Sequence, residues 1–543
     1  MKQQVMALVL VAASVCALHA FQAKPEEEKC SIEGRVTNAV TGEPLRRVAL
    51  LLSGPGRIIT AESDESGRFS FQGLNPGSYS LTADRAGYAK QTYGARGSST
   101  SGTPLVLVAG QQMRDISFKM APAALISGRV LDEEGEPAPT NTLAMAFQSS
   151  YDRGVRQWLP VGAAMTNDLG EFRIPSLAAG SYLVSAVSVV PVLSTGLSTQ
   201  KPGDKPDPAY VLTFFPNATD AANAVPVQLT AGGEAGGTVI RLQKVNTVRI
   251  TGKVAGAGEG KATVMRLAPK GVTSSVLAVY QGKLVASQEK DGSFELKGVA
   301  PGSYMLIGLQ TDAQAQSMRF GSVLLQVGDR HIDGLVLQLV PAAELAGSVG
   351  VADKTAAKLN GVQVGLEAKE YAGVGSPSAT AGEDGKFTLK QILPNKYLVQ
   401  VRNLPEGAYV KSVRHGDQEV SDDSIDLSGG VAGTLQVTLS MAGAQVDGVV
   451  KGADDKPVSG ATVVLAPDSG RYSLFKEMRT ADSGSYSFKG VPPGDYKVLA
   501  WTDVEPGIYQ DPDFLKRYES KAEKMSLKES DRKTLSLKVI PAE

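Results

Sequence analysis

Three histidines, His19, His331 and His415, are all the chain offers for imidazole chemistry, whether metal ligation or proton transfer near neutral pH. His19 lies in the apolar N-terminal stretch, and the other two fall in predicted turns far apart in the chain. No His-Glu-x-x-His or His-x-x-Glu is present, so a zinc site lacks its usual ligands. Counting alone leaves a Ser-His-Asp arrangement open, but no Gly-x-Ser-x-Gly elbow is found. Glycine pairs such as Gly429-Gly430 lack the following helix that a phosphate cradle needs. The acidic turns Asp64-Glu65-Ser66-Gly67, Asp168-Leu169-Gly170, Asp291-Gly292, Asp384-Gly385 and Asp482-Ser483-Gly484 each hold too few carboxylates for a closed calcium site. They suit hairpin turns instead. An internal Lys-Asn crosslink is disfavoured, because the comparable strand position reads Arg35, Arg129, Lys253, Ser348 and Val449. The expectation is a chain with no catalytic group, no metal and no cofactor.

Aromatic residues between strands are the remaining chemical signal. Rings exposed on loops stack on sugar rings, and such residues need an explanation. Two groups qualify as candidate ligand contacts: Tyr151, Trp158, Tyr210, Phe214 and Phe215, and then Trp501, Tyr509, Phe514 and Tyr518. The competing account has these rings covering module edges or packing between neighbours. The mixed-sign run Lys516–Lys524 reads as a solvated face rather than an anion site.

The elements that would carry these loops repeat along the chain. Gly67 leads to Tyr79, Gly170 to Tyr182, Gly292 to Tyr304, Gly385 to Tyr397 and Gly484 to Tyr496, always 12 residues on. The first glycine permits the positive φ of a tight hairpin. A short alternating strand follows, as in Phe69 and Phe71. Pro-Gly pairs, such as those ending in Gly302 and Gly494, then predict a type II turn, with the glycine supplying positive φ. The tyrosine opens the next strand. Upstream, each repeat begins on an alternating strand holding Gly34, Gly128, Gly252, Gly347 or Gly448, spaced 94, 124, 95 and 101 residues apart. Such periods exceed propeller blades and solenoid turns. Each unit is large enough to close its own core.

Seven short strands per repeat and no 3.6-residue apolar periodicity predict an all-β fold of five seven-stranded antiparallel sandwiches. We place module one at 31–122, module two at 123–245 with a long loop insertion, module three at 246–341, module four at 342–441 and module five at 442–543. The tight link Ala121-Pro122-Ala123-Ala124-Leu125 suggests a semi-rigid rod.

The series Gly-Arg-Val, Gly-Glu-Pro or Lys-Pro-Val, Asp-x-x-Gly-x-Phe and Pro-Gly-x-Tyr resembles the carboxypeptidase regulatory-like domain. Gly448 to Val450, Asp455 to Val463 and Gly494-Asp495-Tyr496 carry it most fully. The resemblance spans nearly all of residues 31–543 and is closest to bacterial secreted proteins built of tandem modules. It implies a transthyretin-like or prealbumin-like sandwich, grouped with carbohydrate-binding-like folds. In metallocarboxypeptidases such a domain accompanies a catalytic one, and no residues are left over here for the latter.

At the N-terminus, Lys2, an apolar run from Val5 to Ala17 and a small residue at Ala20 read as a secretory signal peptide over residues 1–20. The run is shorter than the ~20 residues of a spanning helix, which argues against a membrane anchor. Residues 21–30 form a charged leader. Cleavage near Ala20 would leave Cys30 alone, without an intramolecular disulfide. With 55 basic and 56 acidic residues, no global field favours nucleic acid. The expectation is a secreted or periplasmic, non-enzymatic protein with no integral membrane segment in its mature chain. Its candidate partner is a polysaccharide or cell-surface polymer; the alternative is a structural spacer or protein-interaction scaffold at the envelope.

Overall fold

The computed structural model describes residues 28–54, 57–95, 102–188, 208–258, 263–269, 287–288, 291–312, 317–352, 359–369 and 376–542. The expected signal peptide, most of the expected leader and the centre of the module-two insertion lie outside them. Contacts divide the chain into two compact units, residues 1–95 with 100–122, and residues 96–99 with 123–543. The fold is all-β. Separate hydrophobic cores are drawn from residues 30–120, 124–242, 248–339, 345–439 and 444–537, one per expected module.

Module five has the seven expected strands. Ser485–Val491, Ala444–Lys451 and Arg532–Lys538 form one sheet, and Lys476–Arg479, Thr462–Pro467, Gly494–Trp501 and Glu523–Leu527 the other. Val446, Val450, Phe488 and Leu537 from the first sheet meet Val463, Leu465, Tyr496 and Val498 from the second. Alternation along each strand buries one face, as a period of two requires.

One strand pair per module departs from the antiparallel expectation. The opening strand lies parallel to the last one, with Gly34 opposite Ile116, Gly128 opposite Thr238, Gly252 and Gly347 opposite Leu335 and Leu435, and Gly448 opposite Leu535. Turn residues announce hairpins only, so a parallel pairing of distant strands leaves no local signal. It does explain the opening glycine. A Cβ there would sit 2.3, 1.9, 2.1, 2.5 and 1.9 Å from the carbonyl oxygen of the facing residue, in module order.

The hairpin glycines behave as expected. Gly67, Gly170, Gly292, Gly385 and Gly484 have φ between +73° and +83°. Each carbonyl accepts the amide of a valine in the opening strand, such as Val36 at 2.8 Å or Val450 at 2.8 Å. The Asp64, Asp291 and Asp384 carboxylates accept amides of their own turns. These contacts hold all three carboxyls below the usual aspartate range, with the Ser293 hydroxyl foremost for Asp291 and the amides of Arg68 and Lys386 foremost for the other two.

The second turn is built differently from the expectation. Gly77, Gly180, Gly302 and Gly494 do have the expected positive φ, but at 148–157° it is far from that of a type II corner, and they begin the next strand. The left-handed residue sits four positions earlier, at Gly73, Ser176, Gly298, Gln391 and Gly490, with φ of 58–69°. There an extra residue bulges out of the pairing with the opening strand. Proline and the following residue therefore span the exit from a bulge, not a type II corner. The tyrosine closes the arrangement: the Tyr79, Tyr182, Tyr397 and Tyr496 hydroxyls donate to the carbonyl four residues upstream, at 2.7–2.9 Å.

Candidate functional site

The feature that separates module two from its siblings is a long hairpin. Thr142–Asp152 and Val155–Met165 are 11-residue strands joined by Arg153 and Gly154 in left-handed conformation. The strands outrun the rest of their sheet, since Gly180–Ser188 pairs only with residues 142–147. At about 3.4 Å per residue, the outer half, where the two strands pair only with each other, extends beyond that three-stranded part.

That extension is seated against two other modules. The Ser149 hydroxyl donates to Glu505 of module five. The Arg153 guanidinium donates to Glu367 of module four at 2.8 Å, with both groups partly covered. Backbone meets backbone at two glycines. A Cβ on Gly154 would lie 2.7 Å from the Gln510 carbonyl oxygen, and one on Gly507 would lie 2.3 Å from that of Tyr151. Both glycines have positive φ, so neither position accepts a side chain. Modules four and five also hold each other: Arg471 pairs with Asp423 at 2.7 Å, Lys489 with Glu406 at 2.6 Å, and Glu529 receives the Tyr409 hydroxyl at 2.7 Å. Within residues 123–543 the modules thus touch beyond their chain neighbours, which corrects the rod expectation for that unit. A short link constrains only adjacent modules; the hairpin reaches past them.

The candidate aromatics fall into two classes. Trp501, Tyr509, Phe514 and Tyr518 are interior, at 1%, 4%, 6% and 6% exposure. They form a second core on the outer face of the module-five sheet, under the helix Pro512–Arg517. Trp501 stands edge-on to Tyr518 at 5.6 Å and lies 6.0 Å from Phe514. The segment that roofs these rings, residues 505–511, is the one that receives the hairpin.

In module two, Phe214 is buried beside Phe147 at 6.0 Å, and half-buried Trp158 packs on the same cluster. Phe215 packs on the main core of that module. Tyr151 lies beneath the Arg156 guanidinium at 5.3 Å, and its hydroxyl accepts from Arg156. Tyr210 carries Lys244 over its ring at 4.8 Å and donates to Glu133 at 2.5 Å. Lys244 and Tyr210 together hold the Glu133 carboxyl down to about 2, while burial and that carboxylate raise the Tyr210 phenol. Asp132, Glu133 and Glu134 come close enough to hold a cation, but Asp132 already accepts the Glu134 and Glu136 amides. His331 accepts the Arg249 amide at 2.9 Å.

Sequence reasoning missed the contacts that matter most here: Ser149, Arg153, Gly154, Glu367, Glu505 and Gly507. The one available signal was the pair of long strands flanking Asp152-Arg153-Gly154. Among the described residues, no helix is long and apolar enough to cross a membrane.

Comparison with known proteins finds one family and several solved structures. Residues 31–121 and 445–504 match the carboxypeptidase regulatory-like domain. No curated protein matches the chain. Among solved structures, the Bacillus anthracis TIE protein is 11% identical over 77% of this chain and 74% of its own, with a TM-score of 0.16. The minor pilin GBS52 of Streptococcus agalactiae is 13% identical over 40% of this chain and 96% of its own, with a TM-score of 0.21. The major pilin subunit BcpA of Bacillus cereus is 12% identical over 57% of this chain and 99% of its own, with a TM-score of 0.14. Scores this low carry no argument about function. The chain folds as tandem β-sandwiches, and two of its segments, in the first and fifth modules, are similar to the carboxypeptidase regulatory-like domain.

Proposed function

We propose that this chain is a non-catalytic scaffold of the cell envelope or the extracellular space, in which module two is fastened to modules four and five as one presenting body. The observation that carries this reading is the hairpin tip. Arg153 and Gly154 engage module four and module five through an ion pair and a backbone-to-backbone contact. A ligand loop would leave its tip free; this tip is spent on its own chain. Extracytoplasmic placement rests on the N-terminal sequence.

Calorimetry of the mature chain tests the proposal. Modules two, four and five should unfold in one joint transition, and Arg153→Glu, which sets two carboxylates face to face, should split it. Independent transitions in the parent protein would refute the scaffold reading. Polysaccharide binding is the second reading, and the half-buried Tyr151, Trp158, Tyr210 and Phe215 favour it over the module-five rings. A glycan array with the mature chain, repeated after Trp158→Ala and Tyr210→Ala, decides that point.

A further inference from the structure

The outer face of the module-four sheet carries a cleft of about 420 Å3, lined by Gln363, Gly365, Glu367, Ser378, Gln400 and Arg402 among others. That volume lies within the range of small-molecule sites, about 300–1,000 Å3. Strand register makes the cleft. Gly365 stands between Ser378 on one neighbouring strand and Gln400 on the other, and Gln363 pairs with Arg402. Three strands about 4.8 Å apart thus present hydroxyl, amide and guanidinium groups around a floor without a side chain. This glycine is not demanded by its surroundings. Its φ is not left-handed, and a Cβ would meet nothing closer than 3.6 Å.

Charge distinguishes the two ends of the cleft. Glu367 is met by Arg153 at 2.8 Å and accepts from the Gln400 amide. Arg402 donates to the Gln400 amide oxygen and has no carboxylate partner among the described residues. Of the two charged groups that line the cleft, Glu367 is neutralised by Arg153, which reaches it from outside the lining, so the uncompensated charge is that of Arg402. A guanidinium facing an open polar cleft matches a carboxylate in bidentate geometry. Gln363, Ser378 and Gln400 supply both donors and acceptors, as a polyhydroxylated ring requires.

We propose that this cleft binds a carboxylate-bearing sugar, one hexuronate unit of an acidic polysaccharide, with Arg402 taking the carboxylate and Gln363, Ser378 and Gln400 the hydroxyls. The site stands apart from the aromatic loops of module two and shares with the scaffold reading only the Arg153–Glu367 pair, which the Arg402 and Gly365 variants leave untouched. Isothermal titration of the mature chain with trigalacturonate and triglucuronate, against cellotriose, tests it. At least one uronate should bind at least tenfold more tightly than cellotriose, and added salt should weaken it. Arg402→Gln should lower that affinity tenfold or more. Gly365→Asn, which fills the floor, should abolish binding while leaving the unfolding temperature within a few degrees. The proposal is overturned by no uronate binding at millimolar concentration, by equal binding of cellotriose, or by unchanged affinity in both variants.

Discussion

Trp501→Ala separates a ligand ring from a structural one. Trp501 is 1% exposed and packs on Phe514, Tyr518 and the outer face of its sheet. Truncating a buried tryptophan costs about 3–5 kcal/mol, from lost transfer free energy and the cavity left behind. Two ring contacts disappear as well, which places the expected loss toward the upper end of that range. Domains hold only about 5–15 kcal/mol, so module five would lose a large share of its stability. The indole Nε1 has no hydrogen-bond partner, so Trp501→Phe forfeits packing alone and should cost clearly less. Urea denaturation followed through module five, with hydrogen exchange read on residues 142–165, measures both effects. Exchange should rise in the hairpin too, because residues 505–511 roof the same rings. A Trp501→Ala protein within ~1 kcal/mol of the parent, with native protection of the hairpin but lost glycan binding, would refute the argument.

Three further outcomes follow from the geometry. Gly302→Val should destabilise module three while touching no ligand, because a Cβ there sits 3.2 Å from the Tyr304 ring at a φ of +157°; thermal unfolding reads it. Gly448→Ala should be more damaging, of the order of several kcal/mol, because its methyl would meet the Leu535 carbonyl oxygen at 1.9 Å in the middle of a sheet. On acidification, the folded-state carboxyls of Glu133 and Glu519, both held down to about 2 by lysine partners, keep their contribution above the ordinary glutamate pKa of ~4.3 and lose it as pH falls toward 2. Unfolding temperature should therefore drop across that window, and Glu133→Gln should flatten part of the drop.

Much of the fold was legible because it rests on turns whose chemistry is local. Gly67 and its four counterparts need positive φ within a single hairpin, and alternating residues such as Phe69 and Phe71 expose their period over three positions. Gly34 and Gly448 were visible as repeats but not explicable, since the carbonyls that exclude their side chains belong to strands about 80–90 residues downstream. The Pro-Gly turn was misread for a related reason. The bulge that precedes it is defined by pairing to the opening strand, and Ser176 and Gln391 adopt left-handed φ with no residue-type signal at all. Aromatic residues posed the harder problem. Trp501 and Tyr210 look alike in sequence, one beside a turn and the other in an insertion. Only three-dimensional packing reveals that one is a core residue and the other is pinned at the surface by Glu133 and Lys244.

The backbone contacts of Gly154 with Gln510 and of Gly507 with Tyr151 also govern how this unit bears load. Tension applied at residues 123 and 543 need not travel through modules three and four, because the clasp joins module two directly to module five. The intervening chain then behaves as slack held in reserve. Pulling should first break the clasp, in one low-force event that releases length without unfolding any sandwich, and only later the individual modules. Two residues without side chains would thus act as the mechanical fuse of a structure whose strength lies elsewhere.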